Sequence, residues 1–397
     1  MAGTRTARTF DWSEADLRSR RGIKWHRYGD SVLPAWVADM DCGVAEPVQR
    51  AIERMVARHD YGYPWRPEED ALAVAFADRM RTRFGWQPEP RLVLPVADLV
   101  QAVVAMLLAF TQTGQRVVLQ TPIYPPFLEA IRSTGRLLAA NPLLDTGARF
   151  ELDTSDLRRQ LDMGAGLLLV CNPHNPTGRV FSRPELLAIA EHAVEHDLVI
   201  VCDEIHADLV YAGAEHVAMA GLGPEIAART VTITSATKSF NIPGLRCAVM
   251  HFGSEELRRR FEAAIPPRLL GSVNSVGVEA TVAAWREGDA WLEGTLRHLA
   301  RNRERVGAWT QSEALELGHH PPEATYLAWL DCRALDFGAA TAQRFFLQRA
   351  RVGLNAGEDF GPGGEGRVRL NFATSEAILE EVLGRLAGAI RSACDHR

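Results

Sequence analysis

Lys238 stands in Ser235-Ala236-Thr237-Lys238-Ser239-Phe240-Asn241, directly after the β-branched run Thr230-Val231-Thr232-Ile233-Thr234. Such a run reads as a buried strand of a parallel sheet, which puts the lysine at the strand's carboxyl end. Pro243-Gly244-Leu245-Arg246 follows, a turn with a second cation. The chain has 44 Lys and Arg residues, and Lys24 and Lys238 are the only lysines among them. Arginine keeps its charge, whereas lysine can lose its proton and act as nucleophile or base. A lysine beside a hydroxyl and an arginine suits Schiff-base chemistry next to a phosphate.

Two further apolar runs end in polar groups. Residues 167–171 lead into Asn172-Pro173-His174-Asn175-Pro176-Thr177-Gly178, where two prolines and a glycine fix the turn and hold the asparagine amides as oriented donors. Residues 198–202 lead into Asp203-Glu204-Ile205-His206, and a carboxylate in such surroundings requires a cationic or protonated partner. Open α/β sheets bind ligands at the carboxyl ends of their strands. Three strand ends therefore deliver an amide, a carboxylate and a lysine to one crevice, the set that pyridoxal 5'-phosphate requires. The lysine makes the Schiff base, the carboxylate keeps the pyridine nitrogen protonated and the amide donates to the phenolate oxygen. Ser235, Arg246 and the start of a helix over 98–110 are candidates for the phosphate, and Tyr124 for an aromatic face on the ring.

These groups need a scaffold, and the chain supplies alternating elements. Helices are predicted at 47–58, 67–84, 99–110, 125–133, 154–161 and 184–196. Strands are predicted at 117–119, 137–140, 167–171, 198–202, 230–234 and 247–252, the last of them antiparallel because too little chain precedes it for a helical crossover. The reading is α/β: a large domain with a mostly parallel sheet of about seven strands between helices, and a smaller α+β C-terminal domain. The expected divisions are an irregular N-terminal arm with part of the small domain at 1–44, a large cofactor-binding domain at 45–285, and a small domain at 286–397. The small domain is expected to hold strands at 324–330 and 368–372 and helices at 339–349 and 376–391. The glycine-rich stretch 357–366 reads as a mobile loop; it does not precede a helix and is no phosphate-binding fingerprint.

Composition narrows the class. With 397 residues, 47% hydrophobic and 24% charged, the chain is an ordinary globular protein with room for a large core. A net charge of −6 without long single-sign runs argues against nucleic acid or an anionic membrane as partner. The basic N-terminus lacks an apolar secretory segment, and the longest apolar stretch, 99–110, is too short to span a bilayer. Six cysteines without CxxC spacing read as buried reduced thiols, with no metal site, in a cytoplasmic protein.

Taken together, these segments resemble the fold-type I pyridoxal-phosphate enzymes of the aminotransferase class I/II superfamily over nearly the whole length. Within it, the chain is most similar to the MalY/PatB group of cystathionine β-lyases, or C–S lyases. The likeness rests on Trp36-Val37-Ala38-Asp39-Met40-Asp41, Tyr61-Gly62-Tyr63, the 172–178 turn, Asp203-Glu204-Ile205-His206, 235–245, 325–331 and Arg369-Leu370-Asn371-Phe372. It implies that Lys238 is the Schiff-base lysine and general base, Asp203 the partner of the pyridine nitrogen and Asn175 the phenolate ligand. Ser235 and Arg246, with Ala97, Asp98 and Leu99 at the helix start, fall at phosphate positions, and Tyr124 and His206 also belong to the cofactor site. Arg369 is implied to grip the substrate α-carboxylate, with Ala38, Asn175 and Tyr124 on the substrate side. Tyr63, or Tyr61, is implied to reach the phosphate of a neighbouring subunit, making an active site shared in a homodimer.

Two departures stand out. Asp98 puts a carboxylate beside a phosphate position, so it is expected to turn away as a helix cap. Cys42-Gly43 replaces the usual aromatic after the ADMD segment and is expected to widen the substrate side of the pocket. The resemblance favours α,β-elimination from an S-substituted L-cysteine to a thiol, pyruvate and ammonia. The alternative is a class I/II aminotransferase that converts an amino acid to its 2-oxo acid.

Overall fold

The computed structural model of the protein describes residues 10–63, 70–337 and 340–394. Its centre is a seven-stranded sheet built from β1 (Val93–Val96), β2 (Arg116–Thr121), β3 (Leu137–Pro142), β4 (Ala165–Cys171), β5 (Val199–Asp203), β6 (Thr230–Thr234) and β7 (Ala248–Phe252). The spatial order is β1-β7-β6-β5-β4-β2-β3. Strands β2 to β6 pair in parallel, and β7 is antiparallel to both of its neighbours, as the short connection before it requires. Strands β5, β6 and β7 are buried at every position, so both faces are covered by helices and the runs are continuously apolar or β-branched. The strand absent from the sequence reading is β1, four residues with a proline at the sheet edge, where the missing N–H costs no ladder bond.

A second sheet of four strands carries Leu327–Asp331 against Arg367–Asn371, with Trp329 opposite Arg369. The N-terminal stretch has more regular structure than expected. Glu14–Ser19 and Ile23–His26 are short helices, and Leu33–Pro34 pairs in parallel with Val352–Gly353. The stretch expected to be a mobile loop is a packed turn instead. Gly357–Phe360 forms a 3-10 helix, the Phe360 carbonyl accepts the Ile123 N–H at 2.8 Å, and a Cβ on Gly357 would lie 2.1 Å from the Gly364 carbonyl. The glycines there serve close backbone approach. The start predicted for the 67–84 helix, residue 339 of the 339–349 helix and residues 1–9 lie outside the described residues; the two helices run Ala71–Phe84 and Ala342–Arg349.

Behind the sheet, one buried arginine ties four elements together. Arg79, on the Ala71–Phe84 helix, grips both oxygens of Asp208 at 2.8–3.2 Å in the turn after β5. Its Nη1 also donates to the Trp285 carbonyl at 3.2 Å and to Asp289 at 2.9 Å, where Ser275–Glu287 gives way to Asp289–Ser312. Its side chain is 1% exposed and that of Asp208 9%. Removing Asp208 leaves the buried Arg79 charge with only Asp289, whose side chain is 53% exposed. Asp208→Ala is therefore expected to lower the unfolding free energy by about 3–5 kcal/mol, read from the urea midpoint at unchanged m-value. A loss under about 1 kcal/mol would show that the pair behaves like a surface one.

Candidate active site

The register of the parallel strands sets the site. Cys171 pairs with Asp203, and Asp203 with Ile233, so the carboxyl ends of β4, β5 and β6 lie in line. A cavity of about 430 Å³ opens at these ends. Lys238, Asp203, Asn175, His206, Tyr124 and Ser235 line it, as do Ala38, Arg246, Ala97, Asp98 and Leu99. Arg369 lies on an adjoining groove of about 770 Å³ that shares Tyr124's neighbourhood with the first cavity. Tyr63 is apart from both and fully exposed, and Tyr61 is 63% exposed.

Asp203 is the last residue of β5 and is buried. One oxygen accepts the Ile205 N–H at 3.0 Å, and the Cys171 thiol lies 3.8 Å from the other. No described cation is ion-paired with it. Burial pushes its pKa up to about 7. A buried carboxylate with this little compensation is suited to receive a protonated ring nitrogen. His206 is buried nearby, and burial pulls it down to about 3, so its imidazole stays neutral; its Nδ1 has no partner among the described residues.

The turn after β4 orients Asn175. Its Oδ1 accepts Arg369 Nη1 at 2.9 Å, and because arginine only donates, the amide orientation is forced and Nδ2 is left as the donor. Gly178 closes the turn at φ 69°, and a Cβ there would lie 2.2 Å from Pro322 Cβ. Asn172 and His174, also in this turn, do structural work: Asn172 Oδ1 accepts the Phe181 N–H, and His174 Nδ1 meets the Thr177 hydroxyl at 2.9 Å.

Arg369 is buried, and no described carboxylate pairs with it. Besides Asn175 it donates to Asn355 Oδ1 at 2.8 Å and the Trp36 carbonyl at 3.2 Å, and its guanidinium sits 5.0 Å over the Phe360 ring. Burial draws its pKa down to about 10. Lys238 is partly buried, with Nζ donating to the Ala38 carbonyl at 2.6 Å. Burial lowers its pKa to about 8, against an opposing pull from Asp39.

The 36–42 segment thus offers carbonyls to both cations, and three side chains clamp it. Lys24 Nζ bonds Asp41 at 2.8 Å and the Asp39 carbonyl at 3.0 Å. Asn241, at φ 56°, accepts the Met40 N–H and donates to the Met40 carbonyl, each at 3.0 Å. Asn371 donates to the carbonyls of Val37 and Asp39 at 2.6 and 2.7 Å. Sequence reasoning passed over these positioning roles; the signal for Asn241 was an asparagine in the turn three residues after Lys238, a residue that tolerates the left-handed region.

At the other rim, Asp98 does not turn away. Its Oδ1 caps the Leu99–Phe110 helix by accepting the Gln101 N–H at 2.8 Å, while Oδ2 is ion-paired with Arg246 at the cavity wall. A carboxylate has two oxygens, and the cap uses only one. Ser235 Oγ lies 2.6 Å from the Cys247 carbonyl and 2.9 Å from the Thr237 hydroxyl, and both hydroxyls are on the cavity. Thr237 was not among the sequence candidates. Cys42 and Gly43 do not border Arg369 or Tyr124; they line a separate recess with Asn241, whose Nδ2 lies 3.3 Å from Cys42 Sγ. The expected widening of the substrate side by this pair is absent.

The aminotransferase class I and II family matches residues 48–386. Cystathionine β-lyase PatB of Bacillus subtilis is 34% identical over 96% of this chain and 99% of its own length. The cystathionine β-lyase of Corynebacterium glutamicum is 34% identical over 94% of this chain and 98% of its own. Cystalysin from Treponema denticola, a structure that contains pyridoxal 5'-phosphate, superposes with a TM-score of 0.91 at 28% identity, covering 97% of this chain and 98% of that one. The fold is therefore that of fold-type I pyridoxal-phosphate enzymes, and the buried carboxylate, lysine and unpaired arginine are the groups such a cofactor and an amino acid would complete. By sequence and by architecture, the chain belongs to the aminotransferase class I and II family.

Proposed function

We propose that the protein is a pyridoxal-phosphate-dependent C–S β-lyase that cleaves an S-substituted L-cysteine to a thiol, pyruvate and ammonia. Two groups without a counter-ion among the described residues, Asp203 in the cavity and Arg369 on the adjoining groove, carry the assignment of cofactor and amino acid, and the full-length likeness to named cystathionine β-lyases favours elimination. When bound, pyridoxal phosphate supplies an electron sink conjugated to the substrate Cα.

The chain's residues then divide the work. Lys238 Nζ removes the Cα proton, as an amine whose pKa burial has already lowered can do near neutrality. Asp203 would hold the proton of the ring nitrogen, and beside that cation it would stay ionised. Asn175 Nδ2 would donate to the ring oxygen, and Tyr124 would supply the aromatic face for the ring. Ser235, Thr237, Arg246 and the start of the Leu99–Phe110 helix would hold the phosphate. Arg369 takes the α-carboxylate in a charge-assisted fork, and the S-substituent extends into the groove walled by Trp36, Phe360 and Arg27. On this reading the chain divides into the units 1–44, 45–285 and 286–397, and the exposed Tyr63, or Tyr61, completes the site of a second subunit in a homodimer.

The deciding assay follows pyruvate and free thiol together over a panel of S-substituted L-cysteines, cystathionine included. Equimolar release of both is expected, with at least ~10³-fold loss in Lys238→Ala. Reversible conversion to pyridoxamine phosphate without thiol would replace the reading with transamination. Arg369→Gln is expected to raise KM by ~10- to 100-fold with a smaller effect on kcat, since the carboxylate contact is made before the chemistry.

Uptake of the cofactor by apo-protein gives a pH test. Only the neutral amine attacks an aldehyde, and its fraction grows as pH rises through the Lys238 pKa of about 8. The uptake rate, followed by visible absorbance, should climb through that pH and level off above it. A flat profile between about pH 6.5 and 9.5 would contradict the lowered amine.

A further inference from the structure

Asp98 does more than its cap requires. The cap uses Oδ1, which accepts the Gln101 N–H, and asparagine or serine would serve there equally well. The second oxygen holds Arg246, the cation on that rim of the cavity. Ala97's N–H is taken by the Gln101 side chain at 3.2 Å, leaving Leu99 and Val100, which line the cavity, as the helix's open donors. An arriving phosphoryl group, close to a dianion at neutral pH, meets a cation that already has an anionic partner. The donor set fits phosphate; its side-chain charge does not favour it.

We propose that Asp98 is a built-in rival of the cofactor phosphate for Arg246, so that the cofactor is held less tightly than the rim's donors would allow. The inference rests on the assignment of this rim to the phosphate and is independent of whether the reaction is elimination or transamination. Its size is bounded by exposure, since the Arg246 side chain is 61% exposed and that of Asp98 29%, and water screens both. The effect on affinity is therefore on the order of tenfold. It also grows with pH, because the repulsion increases as the phosphate takes its second charge above about pH 6. The other titratable and charged groups on the cavity are Lys238, Asp203, His206, Arg246 and Tyr124, and they are common to wild type and variants, so a ratio between the two isolates position 98.

The test titrates apo-protein with pyridoxal phosphate and with pyridoxal, which lacks the phosphate, in wild type, Asp98→Asn and Asp98→Ser. Both variants keep a capping side chain and lose the charge. Dissociation constants come from visible absorbance and equilibrium dialysis, with thermal melts as the control for folding. The expected result is ~tenfold tighter pyridoxal phosphate binding in both variants, pyridoxal affinity unchanged within about twofold, and a phosphate-specific ratio that widens from pH 6 to pH 8. Equal or weaker pyridoxal phosphate binding in well-folded variants would overturn the proposal and make Asp98 an aid that orients Arg246. If the wild type itself held pyridoxal phosphate no more tightly than pyridoxal, the rim would not be the phosphate site and the premise would fall instead.

Discussion

Two backbone carbonyls, those of Ala38 and Trp36, hold the two cations on which the site depends. Lys238 and Arg369 each donate to one of them, at 2.6 and 3.2 Å. A carbonyl orients a cation in a low-dielectric pocket without cancelling its charge, whereas a carboxylate would neutralise the cation and compete with the substrate's own. The price is positional accuracy, because a dipole a few tenths of an ångström out of place stabilises far less than a formal charge. That accuracy explains the clamps on the 36–42 segment. The buried pair Lys24–Asp41, with both side chains 3% exposed, fixes it from the arm. Asn241 fixes it from the lysine's own turn, and Asn371 from the strand that carries Arg369. The arm, the large sheet and the second sheet meet in that one segment.

The same restraint governs the acidic side. Asp203 is buried at a strand end with one N–H and a distant thiol for company, and the uncompensated burial leaves its pKa near neutrality. Other buried charges are treated differently: Arg79 has Asp208 and Asp289, and Arg179 has Glu185 and Glu323. Arg79 and Arg179 are paired with carboxylates, whereas Asp203, Lys238 and Arg369 have no ion-pair partner among the described residues. This contrast is a physical criterion for a site, because unpaired burial is destabilising and persists only where a bound molecule completes it.

The parts legible in the sequence were those fixed by local pattern. Continuous apolar runs gave the inner strands nearly to the residue, and the antiparallel β7 followed from the length of one connection. Lys238, Asp203 and Asn175 were readable because strand ends in a parallel sheet share an edge. What escaped depends on contacts distant in sequence. β1 is short and contains a proline, so its pattern is weak until β7 lies beside it. The 357–366 stretch looked like a loose loop because glycine signals both freedom and close approach, and only the Gly364 carbonyl beside Gly357 distinguishes them. Asp98 was read as a cap, correctly for one oxygen; the other oxygen's partner is far along the chain at Arg246.

The two lysines show how environment, more than residue type, divides roles. Both are withdrawn from solvent and both bond a carbonyl of the same segment, Lys24 that of Asp39 and Lys238 that of Ala38. Lys24 has in addition the Asp41 carboxylate, which ties its charge in place as a structural fastening. Lys238 has no such partner; Asp39 and Asp203 act on it only through space, burial prevails, and its pKa falls to about 8. An ammonium that keeps a carboxylate is a poor nucleophile at neutral pH, and one deprived of it is a usable base. A single ion pair therefore separates the lysine fastened into the wall of the site from the one left available as a base.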